Sequence, residues 1–287
     1  MNALIIGYGS IGRRHYTILK NFFECVDVVT SQNIAGAYNS IDKTDLDKYD
    51  YFVISNETHK HFETLKTLDQ KVRNKKILVE KPLFHQYYEY TPKNRVFVAY
   101  NLRFHPLIDY LKKHIKNPVF AEVKCGSYLP EWRESDYRNS YSSKKEGGGV
   151  IRDLSHELDY FYYLFGKIKD IKYFTGKISS LEIESEDMFT AVCKNDILMG
   201  NITLDYISKI PRREIFIHTD TATIKADLIK NTLNINNEII DFENIERNYT
   251  YEKMHKNIIF ENGNKACSYD EGLETVKLIQ RIYSDVM

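Results

Sequence analysis

The sequence has only four cysteines, Cys25, Cys125, Cys193 and Cys267, and none forms a C-x-x-C pair. Structural zinc sites and disulfide frameworks need closely spaced or paired cysteines, so neither is expected, and the four read as reduced thiols in a core. His15, His59, His61 and His105 show no ligand spacing, and no metal is expected. An excess of either charge is also missing, since 40 Lys and Arg residues balance 40 Asp and Glu. A balanced chain has no global field to draw it to nucleic acid or an anionic membrane. No apolar run approaches the ~18 residues of a membrane span. No repeat, linker or low-complexity segment interrupts the chain. The first strand is entered by Ala3, which leaves no room for a signal peptide, and a cytoplasmic location is the expectation.

What is present is a chain of 287 residues, 43% of them hydrophobic, enough to fill two cores. Ala3-Leu4-Ile5-Ile6 is a short apolar run that empties into Gly7-Tyr8-Gly9-Ser10-Ile11-Gly12. An amphipathic pattern carried by Ile11, Ile18, Leu19 and Phe22 follows, and Val26 to Val29 reads as a second strand. A G-x-G-x-x-G in that context is a dinucleotide-binding fingerprint. Gly7 permits the tight turn, Gly9 lets the backbone approach a pyrophosphate, and Gly12 lets helix and strand pack closely. The phosphates are then expected on the helix N-terminus, where unpaired N–H groups and the helix dipole favour an anion.

Further strands are predicted at Tyr49 to Ser55, Lys76 to Val79 and Arg95 to Tyr100, with a helix from Glu57 to Val72. Such alternation predicts a doubly wound parallel sheet, a Rossmann domain over residues 1–103. From Phe104 the rhythm changes. A helix (Leu107 to Ile115), a strand (Val119 to Cys125), a polar loop and a long helix from Val150 to Phe165 precede seven strands between Ile168 and Phe242. Short connections between those strands predict antiparallel pairing. Helices at Tyr249 to Phe260 and Asp270 to Val286 close the chain, and residues 104–287 are expected to form one α+β domain with a large, open-faced, mostly antiparallel sheet.

Glu80-Lys81-Pro82 lies at the carboxyl end of a predicted strand, where ligands bind in open α/β sheets. A lysine there can reach both a cofactor ribose and a substrate hydroxyl, although a solvated loop lysine is the simpler reading of three residues alone. Pro82 is a candidate for a fixed, cis turn. Gly147-Gly148-Gly149 leads into a helix on which Asp153 and His156, three apart, are expected to share a face. An imidazole near neutrality can take a proton from a hydroxyl as hydride leaves its carbon, and a neighbouring carboxylate can orient it. Asn101 and Arg103 follow the last strand of the first domain and are candidates for the substrate side, Arg103 equally for an interdomain salt bridge. Tyr128, Trp132 and Tyr137 precede the glycine run and could stack on a sugar or simply pack.

Taken together, G-x-G-x-x-G-x-x-H from Gly7 to His15, Glu80-Lys81-Pro82, and the glycine run leading to Asp153, His156 and Asp159 resemble the Gfo/Idh/MocA oxidoreductases. The resemblance implies an NAD(P)-dependent enzyme transferring hydride to or from a secondary alcohol or ketone of a sugar, sugar nucleotide or sugar acid. It implies a cofactor site from Gly7, Gly9, Ser10, Ile11, Gly12, Thr30, Ser31, Asn56, His61, Glu80 and Lys81. By it Lys81 binds substrate, His156 is the general acid/base and Asp153 assists. Asn-Leu-Arg-Phe-His-Pro at Asn101 to Pro106 is similar to members found among surface-polysaccharide and nonulosonic-acid genes. The expected partners are a small carbohydrate substrate and further copies of the chain, as a homodimer or homotetramer.

Two departures from the family pattern stand out. In many members the Asp and the His are a four-residue step apart, whereas Asp153 and His156 are three apart, a rotation of ~100° on a helix. The second strand ends in Thr30 and Ser31 where a carboxylate would bind the NAD ribose, so NADP is permitted and mildly preferred. Two other readings use the same residues. A non-catalytic dinucleotide-binding sensor would have no reason to retain both Lys81 and His156, and an epimerase or sugar–sugar oxidoreductase would keep its cofactor bound throughout.

Overall fold

The computed structural model describes residues 1–284. The chain divides into two compact units, Met1–Phe104 together with the chain from Arg247 onward, and His105–Glu246. In the first, β1 (Asn2–Ile6) runs into α1 (Ser10–Leu19), followed by β2 (Cys25–Val29), β3 (Tyr51–Ile54), α2 (His61–Lys71), β4 (Lys76–Val79) and β5 (Arg95–Val98). The strands are short, continuous apolar runs because both sheet faces are covered. Leu4, Ile6, Phe52, Ile54, Ile77 and Val79 fill one side, and Ala3, Ile5, Tyr51, Val53 and Leu78 the other. The β2-to-β3 connection carries two 3₁₀ turns, Ile41–Lys43 and Leu46–Lys48, and the β4-to-β5 connection carries no helix.

The second unit contains α3 (Pro106–His114), β6 (Pro118–Gly126), the short α4 (Val150–Asp153), α5 (Ser155–Phe165), β7 (Asp170–Gly176), β8 (Met188–Lys194), β9 (Met199–Asp205), β10 (Arg212–Thr219), β11 (Thr223–Asp227), β12 (Thr232–Ile235) and β13 (Glu238–Asp241). Its eight strands lie in the order β13-β12-β11-β10-β6-β9-β8-β7. All neighbours are antiparallel except β6 and β9, which pair in parallel from Phe120↔Met199 to Gly126↔Asp205. That exception joins strands far apart in sequence, where no short connection forces a reversal. Alternation puts Ala121, Val123, Phe189, Ala191, Ile202 and Leu204 in the core. A Cβ on Gly200 would sit 2.9 Å from the Phe161 ring, which shows how closely α5 seats on this face. The opposite face leaves Phe174, Val192 and Met199 exposed.

The chain from Arg247 onward then returns to the first unit as α6 (Tyr249–Phe260), β14 (Cys267–Ser268) and α7 (Tyr269–Ser284). This differs from the expectation of one domain over 104–287. The reason is pairing and burial. β14 adds an antiparallel edge to β5, giving the order β14-β5-β4-β3-β1-β2. Met254 and Ile258 of α6 enter one core beside Ala3 and Leu19, and Leu273 and Val276 of α7 enter the other beside Val98 and Leu83. Val286, the expected end of the last helix, lies outside the described residues.

Candidate functional site

The β1-to-α1 turn is built by close backbone contacts. Gly7 has φ +100°, and a Cβ on it would lie 2.4 Å from the Asn56 nitrogen. A Cβ on Gly12 would lie 2.2 Å from the Gly7 carbonyl oxygen, which the Ser55 hydroxyl also reaches at 2.9 Å. Gly9 is different, with nothing within 4 Å of a Cβ position. It stands at the N-cap of α1, where no side chain caps the helix and no acidic residue occupies the first turn. The first N–H groups of a helix have no intrahelical acceptor, so this end is suited to an anion. Ser10 is exposed and Ile11 half-buried beside it. A cavity of about 580 Å³ opens here, lined by Gly9, Ser10, Arg13, Arg14, Thr17, Arg247 and Asn248.

At the end of β2, Thr30 is buried and its hydroxyl accepts the Gln32 N–H at 3.2 Å, whereas Ser31 is exposed. Gln32 and Arg13, which the sequence did not single out, meet here: the Arg13 Nη2 donates to Gln32 Oε1 at 3.3 Å. Arg13 also lies over the Tyr8 ring, 5.5 Å from its centroid.

Asn56 is half-buried after β3, its amide donating to Thr64 Oγ1 at 2.9 Å. His61, expected to contact cofactor, is instead buried among backbone carbonyls: Nε2 lies 3.0 Å from Asn56 O, and Nδ1 lies 3.2 and 3.1 Å from Pro82 O and Leu83 O. It therefore braces the loops after β3 and β4. The Lys81–Pro82 peptide is cis, and Lys81 is half-buried. Glu80 is buried with Oε2 accepting the Lys81 N–H at 3.1 Å and Oε1 2.8 Å from His15 Nε2. His15 Nδ1 is 2.8 Å from His255 Nε2, and His255 Nδ1 is 3.0 Å from the Tyr51 hydroxyl. Asn101 and Arg103 are also buried, Asn101 donating to Thr250 Oγ1 at 2.6 Å and Arg103 to Glu271 Oε2 at 3.0 Å. Arg103 has a salt-bridge partner, Glu271, on α7 of its own unit.

In the second unit the expected long helix is broken. α4 ends at Asp153, Leu154 leaves helical geometry with φ −96° and ψ 30°, and α5 begins at Ser155. Asp153 and His156 therefore do not share the face of one helix. Tertiary bonds explain this, since the Asp153 carboxylate is held by the Tyr141 hydroxyl at 2.5 Å and the Tyr206 hydroxyl at 2.6 Å. Burial and the Asp153 charge raise both phenols above their ordinary range. Gly149, with φ +101°, faces Glu186, and a Cβ would lie 2.1 Å from that carboxylate. His156 is half-buried in the first turn of α5, and Asp159 is buried. Trp132 donates to Ser127 Oγ at 2.8 Å and stands edge-on to Tyr206, Tyr128 lies beneath Lys209, and the Tyr137 hydroxyl accepts the Glu182 N–H at 3.3 Å. Tyr141, Tyr206 and Glu186 gave no signal in the sequence, because each is defined by a partner distant along the chain.

One unit with a doubly wound sheet and a glycine turn, and another built on an open-faced antiparallel sheet, define the fold class of the Gfo/Idh/MocA proteins. Residues 113–225 match the family model described as the GFO/IDH/MocA C-terminal domain. No curated protein matches the sequence. Among solved structures, UDP-N-acetylglucosamine 3-dehydrogenase GnnA from Acidithiobacillus ferrooxidans is similar, with TM-score 0.81 and 19% identity over 98% of this chain and 96% of that one. The WlbA dehydrogenase from Bordetella pertussis, in complex with NADH and UDP-GlcNAcA, has TM-score 0.79 and 18% identity over 99% and 95%. An oxidoreductase from Agrobacterium radiobacter, in complex with NAD+, L-tartaric acid and magnesium, has TM-score 0.82 and 16% identity over 99% and 95%. At these identities the likeness shows the fold.

Proposed function

We propose that the chain is an NAD(P)-dependent oxidoreductase that moves a hydride to or from a secondary alcohol or ketone of a sugar, sugar nucleotide or sugar acid. The turn at Gly7 to Gly12 carries the reading. Two of its glycines are required by backbone contacts, and the third, Gly9, fronts open space at an uncapped helix N-terminus. Those residues fit a dinucleotide: Gly9, Ser10 and Ile11 would hold the pyrophosphate, and Ser31, Gln32 and Arg13 stand at the end of β2 for the adenine ribose. When bound, the nicotinamide supplies or accepts the hydride. Lys81 would bind the substrate oxygen, and His156 would take or return its proton as general acid/base. The bonds from Asp153 to Tyr141 and Tyr206 favour a structural role for this carboxylate over direct assistance to His156. The sugar-nucleotide class draws support from the activity named for GnnA and the ligand of WlbA. The exposed Phe174, Val192 and Met199 on the sheet of the second unit favour self-association as a homodimer or homotetramer.

NADP(H) is proposed to bind at least as well as NAD(H). No carboxylate stands at Thr30 and Ser31 to repel a 2′-phosphate, and the Arg13 guanidinium is anchored to Gln32 beside them. Fluorescence titration with NADPH and NADH tests this. The expected result is equal or tighter binding of NADPH, and a preference for NADH of ~tenfold or more, ~1.4 kcal/mol, would reverse it.

A further inference from the structure

Four buried polar side chains of the first unit lie end to end. Tyr51, His255, His15 and Glu80 are linked at 3.0, 2.8 and 2.8 Å, and Glu80 is bonded in turn to the Lys81 N–H at 3.1 Å. Tyr51 and the two histidines have no part in the function proposed above, yet they converge on the residue preceding Lys81.

The protons of this chain are placed by elimination. Burial raises the Tyr51 phenol well above its ordinary range, so it keeps its proton. Among the described residues its hydrogen-bond partner is His255 Nδ1, so the hydroxyl donates there. His255 is fully buried, and burial disfavours its imidazolium; with Nδ1 accepting from Tyr51, its single proton sits on Nε2. That N–H donates to His15 Nδ1. The proton of His15 is then on Nε2 and donates to Glu80 Oε1. A second proton on His15 would set two N–H groups against each other at 2.8 Å. Both oxygens of Glu80 are then occupied as acceptors, Oε1 by the His15 Nε2–H and Oε2 by the Lys81 N–H. Reversing the sequence of donors would leave the buried Tyr51 proton without an acceptor, at a cost of about 1–3 kcal/mol.

We propose that His15 is a positioning residue for Lys81: the chain Tyr51 to His255 to His15 presents one fixed donor to Glu80, and Glu80 fixes the backbone from which the Lys81 side chain leaves. The role in turnover rests on the reading of Lys81 given above; the positioning itself does not. His15→Leu removes both hydrogen bonds, whereas the amide of His15→Gln can donate to Glu80 and accept from His255.

The test uses the full chain with three readouts: histidine tautomers by nitrogen NMR, exchange of the Lys81 amide, and kcat and KM. The expected result is neutral Nε2–H tautomers at both His15 and His255. His15→Leu should speed Lys81 amide exchange by about tenfold. It should lower kcat by ~10- to 100-fold with nucleotide affinity unchanged, and His15→Gln should restore both. An Nδ1–H tautomer at His255, or unchanged Lys81 exchange in folded His15→Leu, overturns the proposal. Should His15→Leu not fold, the wild-type tautomers decide alone: an Nδ1–H tautomer at His15 would turn its donor away from Glu80 and overturns the proposal equally. Full turnover in Lys81→Ala would reject the role of Lys81 in the reaction, and the tautomer and exchange readouts still decide the positioning.

Discussion

His105 heads α3, where its Nδ1 accepts the Leu107 N–H at 3.2 Å, and burial pushes its pKa down to about 4 from the ordinary 6.5. A neutral ring is needed, because a protonated Nδ1 cannot accept. Below 6.5 the unfolded chain therefore binds a proton that the folded chain refuses. The contribution is complete above that value and is lost as pH falls from 6.5 towards 4, by roughly 3 kcal/mol at most. His255, lowered for the same reason, adds to the loss in the same direction. His105→Asn keeps a cap acceptor without the titration. Its urea midpoint should fall less than that of wild type between pH 6.5 and 4, and an equal fall would contradict this assignment. At this scale the glycines were legible one by one, because a turn and a close approach have a local signature. His15 was not. Its partners Glu80 and His255 lie 65 and 240 positions away, and a sequence scan for ligand spacing passes over such a pair.

The break between α4 and α5 is the element-scale departure from the sequence reading. No proline or glycine marks Leu154, and Val150 to Phe165 has helical periodicity throughout, so only the tyrosines that grip Asp153 reveal it. If Asp153 serves to fix this break, Asp153→Ala strands the buried Tyr206 hydroxyl and should destabilise the protein by about 1–3 kcal/mol, with Asp153→Asn costing less. Unchanged thermal and urea stability in Asp153→Ala would contradict the structural role. Strands and helices with long apolar patterns were otherwise legible, since the 2.0 and 3.6 periods follow directly from burial. β14, only two residues long, and the parallel pairing of β6 with β9 were not, because each depends on a distant strand.

The change of rhythm at Phe104 reveals a second unit, but no feature of composition marks the return of the chain at Arg247. The last two helices are amphipathic, and a hydrophobic stripe does not say which sheet it will cover. The nucleotide turn lies in one unit and His156 in the other, so their roles can be tested separately. His156→Ala should lose ~10²–10⁴-fold in turnover while retaining nucleotide affinity. Retained turnover would remove His156 from the reaction. Loss of nucleotide binding would show that the residue supports the fold instead.

The central claim, that the glycine turn is a nicotinamide dinucleotide site, is tested most directly by calorimetric titration of NAD(H) and NADP(H) into wild type and Gly9→Val. Beyond the adjoining residues no atom lies within 4 Å of the Gly9 Cβ position, so the variant should fold and keep its melting temperature. Wild type should bind saturably, and the branched side chain, placed where phosphates would lie, should weaken binding by ~tenfold or more, ~1.4 kcal/mol. Absence of binding by wild type, or equal affinity in the folded variant, would contradict the account.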